Sequence, residues 1–246
     1  MVELGDKLDL NVKTVTGKTL GECIKGSENF NTDVIRTLGN PVYHEGSLAV
    51  LKGNLAPDGA VIKPAAMDHK FQKHNGPAIV ADSYAELKEI INDEDYPITA
   101  DHILILRNAG PKGGPGMPEW GMIPMPKALL KQGHRDMIRL SDARMSGTSY
   151  GACILHVAPE AFIGGPLALI KTGDIIQVDI PNRKLNVGIS KIEMKKRKED
   201  WVKPKPRYER GYGYIYSKHI EQADKGCDFD FLSTDFGAAV EEPEIN

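Results

Sequence analysis

Ile103-Leu-Ile-Leu106 sets four aliphatic residues in a row, so both alternating faces of a strand built from them are apolar. Such a strand must be covered on both sides, which is the habit of parallel strands in α/β proteins, whereas antiparallel sheets often leave one face to water. A glycine–proline loop follows at residues 110–118, and residues 126–132 read as a helix closed by Gly133. Met137-Ile-Arg-Leu140 repeats the strand signal, residues 141–149 form a second polar loop, and the apolar stretch 150–156 predicts another helix. Both polar loops therefore leave the C-terminal ends of their strands, the edge at which α/β sheets bind ligands.

The rest of the chain supports an α/β class. Residues 20–24 suit a short helix, and residues 47–51, 59–63 and 78–81 are short β-rich runs between glycines and prolines. Ser83-Tyr-Ala-Glu86 has the form of a capping box, with Leu87, Ile90 and Ile91 as the apolar face of a helix ending near Asn92. Residues 174–180 and 185–189 alternate about a turn at 181–184, which predicts a β-hairpin. The basic segment 191–200 reads as a solvated helix broken by Pro204 and Pro206, and the aromatic-rich tail 208–236 is expected to pack on something.

With 31 basic against 34 acidic residues the formal net charge is −3, which excludes binding nucleic acid chiefly by phosphate neutralisation. Aliphatic runs stop at four residues where a membrane span needs about 20, so no membrane partner is expected. Glu3, Asp6, Lys7 and Asp9 stand where an export signal needs an apolar core, and Cys23, Cys153 and Cys227, odd in number and far apart, fit a reducing compartment better than a disulfide framework. A cytoplasmic protein is the expectation. The cysteines lack close C-x2-C spacing, and His69 and His74 lack the zincin spacing, so neither suggests a self-contained metal site.

Two phosphate-loop look-alikes fail on inspection. Thr16-Gly-Lys-Thr19 has Val12 where a Walker loop needs its first glycine, and Gly114-Pro-Gly116 has Glu119 at the place of a dinucleotide loop's third glycine. Glu119 would repel a pyrophosphate and instead offers an acid to a cation, or else complements a helix dipole. In the second loop, Ser146 or Thr148 would cap the helix expected over 150–156. The alternative is an activated serine, because a helix N-terminus favours an alkoxide.

Three motifs carry a resemblance: Gly53-Asn-Leu-Ala-Pro-Asp-Gly-Ala-Val-Ile-Lys63, Gly110-Pro-Lys-Gly-Gly-Pro-Gly-Met-Pro-Glu119, and Ser141-Asp-Ala-Arg-Met-Ser-Gly-Thr148. With them the sequence, over residues 14–236, resembles the C-terminal domain of the dihydroxy-acid and sugar-acid dehydratase family. The resemblance implies a swivelling β/β/α-type domain, a β-barrel-like sheet flanked by helices, over residues 1–190. Residues 191–246 would be a basic helix and aromatic tail packing on that domain or on a partner.

It implies further that Glu119 is a Mg2+ ligand, Ser146 the catalytic base and Thr148 a neighbouring hydrogen-bonding group, while Asp142 and Arg144 match without an assigned role. An iron–sulfur cluster and most Mg2+ ligands would come from an N-terminal domain or separate subunit, within a homo-oligomer of the full enzyme. The implied reaction removes water from a 2,3-dihydroxy acid and leaves a 2-keto-3-deoxy acid. Ser146 would take the C2 proton, Mg2+ would hold the carboxylate and 2-hydroxyl, and a cluster iron would assist loss of the 3-hydroxyl. Arg107-Asn-Ala-Gly110, Pro118-Glu-Trp120 and Arg207-Tyr-Glu-Arg-Gly-Tyr-Gly213 resemble the sugar-acid branch, so an aldonate is the expected substrate. A non-catalytic binding or regulatory domain on the same fold, and the small subunit of a two-chain hydro-lyase, are the alternatives.

Overall fold

A computed structural model describes residues 1–147 and 149–232. The chain divides into two compact units, with the break between Ser47 and Leu48. The first unit holds a 3-10 turn at Val2–Lys7, a bridge between Lys13 and Thr19, and helix α1 (Leu20–Ile24). Thr19 is its N-cap: its hydroxyl accepts from Glu22 N–H at 3.2 Å and the Glu22 carboxylate accepts from Thr19 N–H at 2.7 Å. The Gly-Lys-Thr look-alike is thus the start of a capping box.

The second unit is built on one eight-stranded sheet. In spatial order its strands are β1 (Ala49–Leu51), β2 (Gly59–Ile62), β6 (Cys153–Ala158), β5 (Arg139–Ser141), β4 (Ile103–Leu106), β3 (Lys73–Ala81), β7 (Ile175–Asp179) and β8 (Lys184–Val187). The four central strands, β3 to β6, are parallel, and the flanking ones are antiparallel. A bridge between Lys52 and Lys184 brings the two edges together, so the sheet is a nearly closed barrel. Asn54 seals the seam as a mock strand residue: its side chain donates to Val187 O at 2.9 Å and accepts from Val187 N–H at 2.7 Å. Gly53 is required there, because a Cβ would lie 2.0 Å from Leu185 O.

The expectation for Ile103–Leu106 holds. Ile103 and Ile105 point into the barrel core with Ile138, Leu140, Ile154 and Val178, while Leu104 and Leu106 join an outer core under α2 (Tyr84–Asn92) and α3 (Lys127–Lys131). Leu87, Ile90 and Ile91 are the buried face of α2, as their spacing predicts. Its cap is half the expected box: Ser83 Oγ accepts from Glu86 N–H at 3.2 Å, but the Glu86 carboxylate accepts from Asp82 N–H, one residue farther upstream. The hairpin is present as β7 and β8. The basic helix α4 (Lys191–Asp200) buries no side chain completely, yet Arg197 ties it to the barrel through Asp174 and Leu169 O.

Residues 150–156 do not form a helix; Cys153–Ala158 is β6, parallel to β5 with Arg139 opposite Cys153, and antiparallel to β2. A short apolar run fits a buried helix or a buried strand equally well, and here the place between β5 and β2 decides. A helix that the sequence did not suggest, α5 (Gly211–His219), lies in the aromatic segment. There Tyr216 packs edge-on against Phe229, which stacks on Phe231; Phe236 lies outside the described residues. No helix among the described residues is long and apolar enough to cross a membrane.

Candidate functional site

Parallel pairing places Leu106 opposite Ser141, so the loops that follow β4 and β5 leave the sheet side by side. The first is fixed at its root by buried carboxylates. Asp142 accepts from Ala109 N–H and Ala161 N–H, both at 2.9 Å. Glu160 accepts from Lys112 N–H and Gly113 N–H at 2.9 Å and from the Gln222 amide at 2.7 Å. Burial, with the Glu160 charge adding to it, pushes the Asp142 carboxyl up to about 7, against the pull of its amide donors. Burial also raises Glu160, opposed by Gln222 and the Gly113 and Lys112 amides. A Cβ on Gly110 would meet Glu160 Oε2 at 2.7 Å, so that glycine lets backbone approach a carboxylate.

Cations and a histidine hold the second loop. The Lys63 ammonium, at the end of β2, donates to Ser146 O at 2.7 Å, Gly147 O at 3.2 Å and Ser149 O at 3.4 Å. Ser146 N–H donates to Ser149 Oγ at 3.2 Å. His156 sits in β6 with φ of 56°, and its Nε2 accepts from Met145 N–H at 2.7 Å. Burial, then the Arg144 charge, lowers its pKa below the usual histidine value, and the accepting Nε2 places the ring proton on Nδ1. Arg139, 1% exposed within β5, joins both loops by donating to Ile123 O at 2.8 Å and Tyr150 O at 3.0 Å, with Asp136 as counter-ion at 3.1 Å.

Glu119 and Ser146 come from these neighbouring loops; Thr148 lies outside the described residues. Glu119 is exposed beside a cavity of about 530 Å³ lined also by Met122, Met125, Leu130 and Tyr150. Its carboxylate pairs with Arg144 at 3.3 Å, and Arg144 donates in turn to Met117 O at 2.8 Å. No helix begins at Glu119, since α3 starts at Lys127, and β6 follows the Ser146 loop. The helix-dipole reading of Glu119 and the N-cap reading of Ser146 both fall, and so does a helix N-terminus as activator of the serine.

Sequence reasoning missed Lys63, Arg139, His156 and Glu160. Arg139 and His156 did leave a signal, as ionisable residues inside otherwise apolar strand runs.

A family model for the dihydroxy-acid/6-phosphogluconate dehydratase C-terminal region matches residues 33–227. The chain belongs to that family. It is 47% identical over 249 residues to the 6-deoxy-6-sulfo-D-gluconate dehydratase of Pseudomonas putida, covering 100% of this chain and 43% of that protein. To the L-arabinonate dehydratase of Rhizobium leguminosarum bv. trifolii it is 44% identical over 227 residues, covering 92% and 39%. To a dihydroxy-acid dehydratase of Caldanaerobacter subterraneus subsp. tengcongensis it is 44% identical over 223 residues, covering 90% and 39%. The chain spans about two-fifths of the length of these dehydratases.

Among the described residues no three His, Cys, Asp or Glu side chains come together as a donor set. Glu119 by itself offers a cation one carboxylate, where Mg2+ takes about six oxygens. The cysteines do not fit a cluster: Cys23 is exposed, Cys153 is buried in β6 with its thiol donating to Tyr150 O at 3.3 Å, and Cys227 is half-buried.

Proposed function

We propose that this chain is the catalytic C-terminal domain of a hydro-lyase that converts a 2,3-dihydroxy sugar acid to a 2-keto-3-deoxy acid. Ser146 is the base that takes the C2 proton, Glu119 gives Mg2+ one oxygen, and Thr148 is a hydrogen-bonding neighbour. The observation that carries this reading is the junction of the two loops: Arg144, two residues before Ser146, holds the Glu119 carboxylate at 3.3 Å. On this reading a metal ligand and a base stand on neighbouring loops, as abstraction of a proton next to a carboxylate requires. Mg2+ and an iron–sulfur cluster, held largely by an N-terminal domain or subunit, would supply Lewis-acid stabilisation of the carboxylate and the leaving hydroxyl. In a cytoplasmic homo-oligomer, the swivelling unit up to residue 190 would close over that partner, carrying with it α4 and Gln222, which Asp174 and Glu160 tie to the barrel.

The substrate reading rests on the sugar-acid motifs and on the relatives named for sulfogluconate and arabinonate. In the full-length enzyme, kcat/KM for pentonates or hexonates is expected to exceed that for 2,3-dihydroxyisovalerate; the reverse order overturns the aldonate assignment. Ser146→Ala is expected to lower kcat at least ~100-fold with little change in melting temperature, as loss of a general base does. Glu119→Gln is expected to raise the Mg2+ concentration needed for activity.

A further inference from the structure

Lys63 ends the first of the three motifs, and no step of the proposed reaction uses it. Its ammonium has three N–H donors, and all three are spent on carbonyls of one turn, those of Ser146, Gly147 and Ser149. β6 is the neighbour of β2 in the sheet, and this turn lies just ahead of β6, so Lys63, one residue past β2, meets the connection that leads from β5 into β6. The segment after Lys63 grips the far end of the same turn, where Gly151 N–H donates to Ala66 O at 2.7 Å. Gly151 has φ of 77°, and a Cβ there would lie 2.2 Å from Arg139 Nη2, so the turn can close only with glycine at that place.

Three carbonyl dipoles converging on one point repel one another unless a cation sits among them. From this arrangement we infer that Lys63 is a positioning residue: its charge organises the turn and sets where the Ser146 side chain stands. The inference rests on the reading that Ser146 takes the substrate proton. Proton transfer depends steeply on reach, so loosening this turn lowers the chemical step, while binding through Glu119 on the other loop is left as it was.

The test uses the full-length enzyme with an aldonate substrate. Lys63→Met is expected to reduce kcat about 10- to 100-fold, the scale of a misplaced reacting group, with KM and the Mg2+ requirement within about two-fold of wild type. Exchange of the substrate C2 hydrogen with solvent deuterium falls in step with kcat. Lys63→Arg, which keeps a cation with several donors, recovers most of the loss, and Lys63→Gln, which keeps donors without charge, stays close to Met. Should Lys63→Met fail to fold, the Gln and Arg pair makes the same comparison.

A Lys63 variant lacking the charge, with kcat within about two-fold of wild type while Ser146→Ala is inactive, overturns the inference and leaves the base intact. A rise in KM at unchanged kcat overturns it too, since Lys63 would then bind substrate. An active Ser146→Ala overturns the base itself.

Discussion

The two loops that leave β4 and β5 lie side by side but are held by opposite chemistry. The loop carrying Glu119 is gripped by its N–H groups, on the buried carboxylates of Asp142 and Glu160. The loop carrying Ser146 is gripped by its carbonyls on Lys63, by Met145 N–H on neutral His156 and by Gly151 N–H on Ala66 O. The grip also falls at different places. Glu119 lies beyond the anchored root, in an ion pair whose side chains are 38% and 42% exposed, whereas Ser146 sits inside its clamp. On the proposed reading, the cation ligand is the more exposed and less tethered of the two side chains, and the base stands where its loop is held most closely.

Arg139 is the joint between the loops, and its loss should break the comparison most severely. Arg139→Met leaves Asp136 as a buried carboxylate without its counter-ion and is expected to destabilise the domain by about 3–5 kcal/mol, read from denaturant unfolding. Glu160→Gln acts on one loop alone. Replacing an acceptor oxygen by a donor facing Lys112 or Gly113 N–H should cost about 1–3 kcal/mol. Hydrogen exchange should quicken at Lys112 and Gly113 and stay unchanged at Ser146 and Ser149.

The loops should also answer pH with opposite signs. Asp142 is raised from 3.8 to about 7, so between those values the folded state binds its proton more readily than the unfolded chain. Its contribution is complete below the unfolded value and is lost as pH rises through about 7. His156 is lowered from 6.5, so its contribution is present above that value and is lost on acidification through the folded one. The stability advantage of wild type over Asp142→Asn should therefore be larger at about pH 5 than at about pH 8, and that over His156→Gln larger at about pH 8. Unfolding midpoints at the two pH values check both. The smallest effect is expected from Arg144→Met, which removes a half-exposed ion pair and should cost less than about 1 kcal/mol.

Much of the barrel could be read in advance. Ile103–Leu106 demanded cover on both faces, the spacing of Leu87, Ile90 and Ile91 set the face of α2, and alternation about the turn at residues 181–184 specified the hairpin of β7 and β8. Of the candidate site, Glu119 and Ser146 were proposed from the loop motifs. Their anchors were not, because Lys63 lies 83 positions from Ser146, and Glu160 lies 48 and 47 from the amides that it holds.

By itself the sequence determined whatever depends on neighbours three or four residues away or on side-chain alternation, because helix faces, caps and strand faces are local geometry. Only the tertiary structure decided that residues 153–158 extend as β6, since their apolar run suits either element and the open hydrogen bonds of β5 and β2 select the strand. It likewise decided which buried charge meets which backbone group, because a carboxylate or ammonium leaving water must find partners wherever the fold has placed them.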